Sequence, residues 1–151
     1  MELSKKGYIS QTSTYIKNRD YEKAYAFAKE FMQKFPGDML AHYLISASAF
    51  WLKKYDEAAL EAKRAFNKAS ADDMVPCAVM AASAYYEMKE YDKGMEVLRY
   101  VENRKMNESI EKLMFIFSVA KHDGAEAAVH LNELYRLNQE AAQELLVRYL
   151  G

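Results

Sequence analysis

One short phrase occurs three times in this chain and constrains its fold more than any other feature. Residues 19–31 read RDYEKAYAFAKEF, residues 54–66 read KYDEAALEAKRAF, and residues 90–101 read EYDKGMEVLRYV. Tyr55 follows Tyr21 by 34 residues, and Tyr91 follows Tyr55 by 36. A period of this length indicates a small unit that cannot bury its apolar face alone and stacks on neighbouring units. We therefore expect a chain built of stacked repeats.

Each phrase has the periodicity of an α-helix. Ala24, Ala28 and Phe31 are spaced by four and three residues, which places them on one helix face. A second helical pattern precedes each phrase, so each unit is predicted to be a helix, a tight turn and a helix. The low content of proline (two) and glycine (five) in 151 residues also favours helices over strands.

This pattern resembles the tetratricopeptide repeat over residues 5 to about 104. The matching features are the period, the tyrosine–acidic–x–alanine opening of the second helix, small residues where helices cross closely, and Pro36 after the first unit. Gly94 replaces the alanine expected at the third crossing, which predicts a weaker contact there, and Thr12 is larger than the usual residue in its position.

The resemblance implies an all-α fold, an α-solenoid of stacked antiparallel helix pairs wound into a right-handed superhelix, as a single domain over residues 1–151. The repeats are predicted at approximately 5–38, 39–72 and 75–106, with a degenerate fourth at 107–138 whose helices begin at the caps Asn107 and Asp123. Residues 139–150 are predicted to form a capping helix, because a solenoid needs a terminal element with one polar face. Alternatively, this segment folds into the groove or contacts another copy.

The resemblance also implies that the first helix of each repeat lines a concave groove. Carried over position by position, it gives the predicted partner-binding residues Ile9, Ile16, Leu40, Tyr43, Phe50, Trp51, Val79, Tyr86 and Ile116. They lie on a different face from the crossing residues, so each first helix has two apolar faces, of which its repeat partner covers one. Packing between adjacent repeats is the alternative for Phe50 and Tyr86. The positions that grip a chaperone's C-terminal carboxylate in some members of the family hold apolar residues or serine here, so an apolar peptide or amphipathic helix is the expected ligand.

The sequence therefore predicts a protein-interaction module, an adaptor or scaffold with a protein or peptide partner. The alternatives are a chaperone-like holder of a secretion or assembly subunit and a structural, self-assembling homo-oligomer. We find no nucleotide-binding or catalytic motif, so neither an enzyme nor a cofactor is expected. A net charge of −1 offers no basic field for nucleic acid. No apolar run approaches the ~18 residues of a membrane span, and the N-terminus lacks the apolar core of a signal peptide, so a cytoplasmic location is predicted.

The histidines and the single cysteine suggest no chemistry. His42, His122 and His130 show no metal-ligand spacing with Cys77 or with a set of carboxylates, so no metal site is predicted and the histidines are expected at surface or boundary positions. Cys77 lies in an apolar run and is expected to be a small buried hydrophobic residue.

Overall fold

The computed structural model describes residues 3–104 and 107–150, and these ranges form nine α-helices joined by short turns. In chain order the helices are α1 (Lys5–Lys17), α2 (Tyr21–Lys34), α3 (Met39–Trp51), α4 (Tyr55–Lys68), α5 (Met74–Glu87), α6 (Tyr91–Glu102), α7 (Glu108–Ala120), α8 (Gly124–Leu137) and α9 (Gln139–Leu150). The predicted caps are present, since Asn107 Oδ1 accepts the amide of Ser109 and Asp123 Oδ1 accepts that of Glu126. No helix in the described ranges has the length and apolar character needed to cross a bilayer.

The chain divides into two compact units, unit 1 (Met1–Met88) and unit 2 (Lys89–Gly151), which we describe separately. The division lies between α5 and α6, inside the third predicted repeat. The single domain and the repeat boundaries stay predictions.

A residue in the left-handed backbone conformation marks the turn after each first helix. These residues are Arg19, Lys53, Lys89 and His122, with φ of 60°, 64°, 60° and 59°. Left-handed residues commonly end helices because they let amides bond to the last free carbonyls. Their spacings are 34, 36 and 33 residues, so the repeat period continues into the α7–α8 pair, where the sequence match has faded.

The core of unit 1 is built on small residues at the helix crossings. Ala24, Ala28, Ala58 and Ala62 are fully buried, as the crossing pattern predicts. Ser46 is also fully buried, and its hydroxyl donates a 2.6 Å hydrogen bond to the carbonyl oxygen of Ala58. The helices approach closely enough that larger side chains would not fit at these positions.

Gly94 in unit 2 allows a close approach between α6 and α7. A Cβ atom placed on Gly94 would lie 2.4 Å from Cε1 and 2.6 Å from Cζ of the fully buried Phe117 ring. The expectation that glycine weakens this crossing is therefore wrong, because the missing methyl group provides the space that the ring occupies.

The last helix is part of the core of unit 2. Ala141, Ala142 and Leu145 on α9 are buried in one cluster with Phe115 and Leu134, whereas Val147 on the opposite side is exposed. A capping helix has this division between apolar and exposed faces.

Candidate functional site

The predicted partner-binding residues lie on the first helices of the pairs. Within unit 1, α3 contacts both α1 and α5, so these three helices present one continuous surface. We call its predicted residues the first-helix face: Ile9, Ile16, Leu40, Tyr43, Phe50, Trp51, Val79 and Tyr86. The ninth predicted residue, Ile116, lies on α7 in unit 2 and packs against the cluster around Phe115. It is therefore not part of the first-helix face, which belongs to unit 1.

Every residue of the first-helix face remains at least partly accessible to solvent. Ile9, Ile16, Leu40 and Tyr43 are half-buried, and each packs one side against the core of α1, α2 and α3. Trp51 is 54% exposed. The face is therefore apolar, supported from beneath by the core, and open above.

Aromatic rings support the exposed indole of Trp51. It stacks on Tyr21 with ring centroids 5.6 Å apart and meets the edge of Phe50 at 5.5 Å. Phe50 also packs against a buried cluster that includes Ala58 and Ala84, so it joins α3, α4 and α5. The packing role considered for Phe50 is thus present, and the half-buried Phe50 ring also contacts Trp51.

Tyr43, in the middle of the first-helix face, is neutral at neutral pH. Burial and, to a smaller extent, the neighbouring Cys77 thiol raise the pKa of the Tyr43 hydroxyl. Burial and then the charge of Asp73 raise the pKa of Cys77 to about 11. Cys77 is buried and neutral, as expected from the sequence, and it lacks the thiolate character of a nucleophile.

A second candidate site is a polar cluster between α6, α7 and α8. His130 Nδ1 lies 2.8 Å from Glu111 Oε2 and 3.3 Å from Glu102 Oε2. On the other side of the ring, Nε2 lies 3.6 Å from Glu126 Oε1, which accepts a 2.8 Å hydrogen bond from Arg99. Glu111 is 1% exposed and His130 is 4% exposed. We call Glu102, Glu111 and His130 the Glu–Glu–His cluster.

The pKa values of the two carboxyl groups in this cluster are shifted in opposite directions. Burial and the adjacent Glu111 carboxyl raise the pKa of Glu102 to about 7. Burial alone would raise the pKa of Glu111, but its hydrogen bonds to His130 and Glu102 outweigh burial and lower it. Burial alone would lower the pKa of His130, but Glu111 and the other carboxylates outweigh burial and raise it. The cluster therefore places two carboxyl groups beside one imidazole in a partly desolvated site.

A histidine–glutamate pair in unit 1 provides a simpler comparison. His42 Nδ1 lies 2.6 Å from Glu61 Oε2, and Glu61 Oε1 accepts a 2.8 Å hydrogen bond from Arg64. One carboxylate here faces one imidazole and one guanidinium. Each oxygen of the Glu61 carboxylate thus has one partner, whereas His130 Nδ1 faces two carboxylates.

The histidine predictions need correction. His42 and His130 are buried and paired with carboxylates, and only His122 is exposed as expected. Spacing along the chain missed the cluster because its residues come from three helices. A signal was nevertheless present, since His130 lies at helical spacing between the apolar residues Ala127 and Leu134.

Solvent reaches the cluster through a cavity. The cavity has a volume of about 490 Å³, and its lining includes Glu102, Glu126 and His130. Glu111 is the most buried member of the cluster and is not part of this lining. A small ligand therefore has a path to His130 past Glu102.

Comparison with known proteins identifies the fold. No family model matches the chain, and no curated protein matches it. Two solved structures are similar: the MamA RS-1 ArsTM double mutant (18% identity, TM-score 0.79, 91% of this chain and 77% of that chain) and pilF of Pseudomonas aeruginosa (17% identity, TM-score 0.70, 96% and 67%). Both are tetratricopeptide-repeat proteins. The likeness confirms the tetratricopeptide-repeat arrangement and the α-solenoid class predicted from the sequence.

Proposed function

We propose that this chain, an α-solenoid of tetratricopeptide-repeat type, is a protein-interaction module that binds an apolar peptide or an amphipathic helix on the first-helix face of unit 1. It would act as an adaptor or scaffold and not as an enzyme. One observation carries the proposal: apolar side chains of α1 and α3 pack on the core with one side and face solvent with the other, and the adjacent helix α5 adds the half-buried Val79 and Tyr86. Proteins of this fold are typically non-catalytic interaction modules, which agrees with such a role.

The arrangement of large and small residues suits an elongated ligand. A small residue lies between two large apolar ones on each helix: Ser13 between Ile9 and Ile16, Ala47 between Tyr43 and Phe50, and Ser83 between Val79 and Tyr86. The three small residues are 34 and 36 residues apart and so occupy equivalent repeat positions. We infer a shallow channel that crosses α1, α3 and α5, with larger side chains along both rims.

An apolar patch at the upper end of the range for monomers would be sufficient to support binding. Monomeric proteins seldom expose more than ~300–600 Å² of contiguous apolar surface. Covering ~600 Å² contributes roughly 15 kcal/mol at ~25 cal/mol per Å², against an association cost of ~4–15 kcal/mol. The difference allows micromolar or tighter affinity, and exposed aromatic groups such as Trp51 are the side chains that dominate such energies.

A pair of matched variants tests the proposal. The face variant, Trp51→Ala with Tyr43→Ala, removes two aromatic groups from the first-helix face. The control, Leu60→Ala with Val129→Ala, removes exposed apolar groups from the second helices α4 and α8. Each protein is used for affinity purification from cells of the native host, and the retained polypeptides are quantified by mass spectrometry.

We expect wild type and control to retain the same polypeptide and the face variant to lose it, with helicity retained and only a moderate fall in melting temperature, because Tyr43 packs one side on the core and Trp51 stacks on Tyr21. Equal retention by both variants would contradict the proposal. A large fall in the melting temperature of the face variant would also contradict it, because Tyr43 and Trp51 would then be core residues.

Sedimentation over a range of concentrations distinguishes the alternatives. Self-association lost in the face variant would identify a second copy as the occupant, and an aggregation-prone retained subunit would indicate a chaperone-like holder. The cytoplasmic location is tested by cell fractionation.

A further inference from the structure

We propose that Glu102, Glu111 and His130 bind a divalent transition-metal ion of the zinc type. The site lies in unit 2 and is independent of the binding proposed for the first-helix face.

The ligand atoms are already close to the required geometry. One oxygen of each carboxylate and one imidazole nitrogen all lie within 4.8 Å of one another. Ligands of a tetrahedral zinc ion, with bonds of ~2.1 Å, are roughly 3.4 Å apart. Nδ1 of His130 is 2.8 Å and 3.3 Å from the two carboxylates, so small side-chain rotations bring the three atoms into the first coordination sphere.

Charge also favours a cation at this place. Within residues 3–104 and 107–150, the carboxyl groups of Glu102, Glu111 and Glu126 lie around the two ring nitrogens of His130, and the guanidinium of Arg99 pairs with Glu126. Among the described residues, Glu102 and Glu111 have no Lys or Arg in ion-pair contact and pair only with the imidazole of His130. A divalent cation would balance both carboxylates and leave the imidazole neutral, the form that ligates metals.

The ring nitrogen of His130 that would not bind the metal has a carboxylate nearby, with Nε2 3.6 Å from Glu126 Oε1. The Nδ1 of His130 faces the two carboxylates, and its Nε2 faces Glu126, which Arg99 holds in place. Metal-ligating histidines usually donate their second ring N–H to a carboxylate, and this contact fixes the ring orientation and tautomer.

The donor set indicates the class of metal. One imidazole nitrogen with two carboxylate oxygens suits zinc and its neighbours in the first transition row, whereas Mg²⁺ and Ca²⁺ prefer oxygen ligands alone. The cavity of about 490 Å³ beside Glu102 provides an entry path and space for water at the remaining coordination positions.

Titration of the chelator-treated protein with Zn²⁺ tests the site. The protein carries no polyhistidine tag, and binding is followed by isothermal calorimetry and by the melting temperature. We expect about one Zn²⁺ per chain, a melting temperature that rises with Zn²⁺ concentration, and a much smaller effect of Mg²⁺ or Ca²⁺ at the same concentration. The absence of saturable Zn²⁺ binding would overturn the proposal.

Two variants distinguish ligation from general attraction. Glu102→Gln removes a ligand at the partly exposed edge of the cluster and should weaken Zn²⁺ binding at least ~10-fold. Glu133→Gln removes a nearby negative charge that acts on Glu102 but is no ligand, and should change affinity by less than ~3-fold. Equal losses in the two variants, or unchanged affinity in Glu102→Gln, would overturn the assignment.

Discussion

Replacing Gly94 with alanine tests the close packing between α6 and α7. In an open helical position this change stabilises a protein by about 1 kcal/mol, because alanine has the higher helix propensity. Gly94 is not in such a position, since the added Cβ would lie 2.4 Å from Phe117 Cε1. Carbon atoms in contact are normally ~3.5–4.0 Å apart, so the ring would have to move by more than ~1 Å.

The Phe117 ring has little room to move. It is fully buried, and its centroid lies 6.0 Å from that of Tyr91 in an edge-on arrangement. Overpacking of this kind costs ~1–3 kcal/mol, which exceeds the gain in propensity. We expect Gly94→Ala to lower the free energy of unfolding by about 1–2 kcal/mol and the melting temperature by ~2–8 °C.

Thermal and urea unfolding followed by circular dichroism measure the effect, with Gly124→Ala as the matched control. A Cβ on Gly124 meets no atom within 4 Å, so this variant should be stabilised by ~0.4–1 kcal/mol. In a Phe117→Leu background the smaller side chain should remove most of the cost of Gly94→Ala. If Gly94→Ala stabilised the protein as Gly124→Ala does, the proposed contact with the ring would be refuted.

Two further predictions concern unit 1. Thr12 is fully buried, and in the described part of the chain its hydroxyl has no hydrogen-bond partner, so Thr12→Val should raise the free energy of unfolding by ~1 kcal/mol. Ser46→Ala removes a hydrogen-bonded hydroxyl and should lower the free energy of unfolding. If both substitutions lowered the free energy of unfolding measured in urea, this account of Thr12 would be contradicted. Burial alone would raise the pKa of Glu57, but hydrogen bonds from Lys29 and Tyr25 outweigh burial and lower it. The resulting stabilisation is present above the unfolded-state pKa and is lost as the pH falls through the lower folded-state value. Glu57→Gln should therefore reduce the melting temperature more at about pH 7 than at about pH 3, and an equal reduction at both would contradict the assignment.

The sequence predicts the helices and their order because these depend on local patterns. The spacing of Ala24, Ala28 and Phe31 defines a buried helix face without knowledge of any neighbour, and the period of 34 residues places the next helix pair. The same regularity extends to the turn at His122, although the surrounding residues have lost the repeat signature. Local propensity and the stacking requirement together determine this level of structure.

The features that the sequence does not predict depend on contacts between helices. Nothing in the spacing of Glu102, Glu111 and His130 indicates that they meet, because their distance depends on how three helices cross and on the side-chain rotamers. Gly94 appears as a defect in the repeat pattern until the position of Phe117 is known. The first-helix face lies between these cases, since the pattern predicts which side of each helix is apolar and the structure adds which residues are accessible.

Site-specific photo-crosslinking most directly tests the central claim that the first-helix face holds a partner polypeptide. A photoreactive phenylalanine analogue is placed at Tyr43 or Val79 on that face, or at the exposed Leu60 on α4 as the control, and the protein is irradiated in its native host. Our account predicts one shared crosslinked polypeptide from positions 43 and 79 and none from position 60. Crosslinks of equal strength from all three positions, or none from positions 43 and 79, would contradict it.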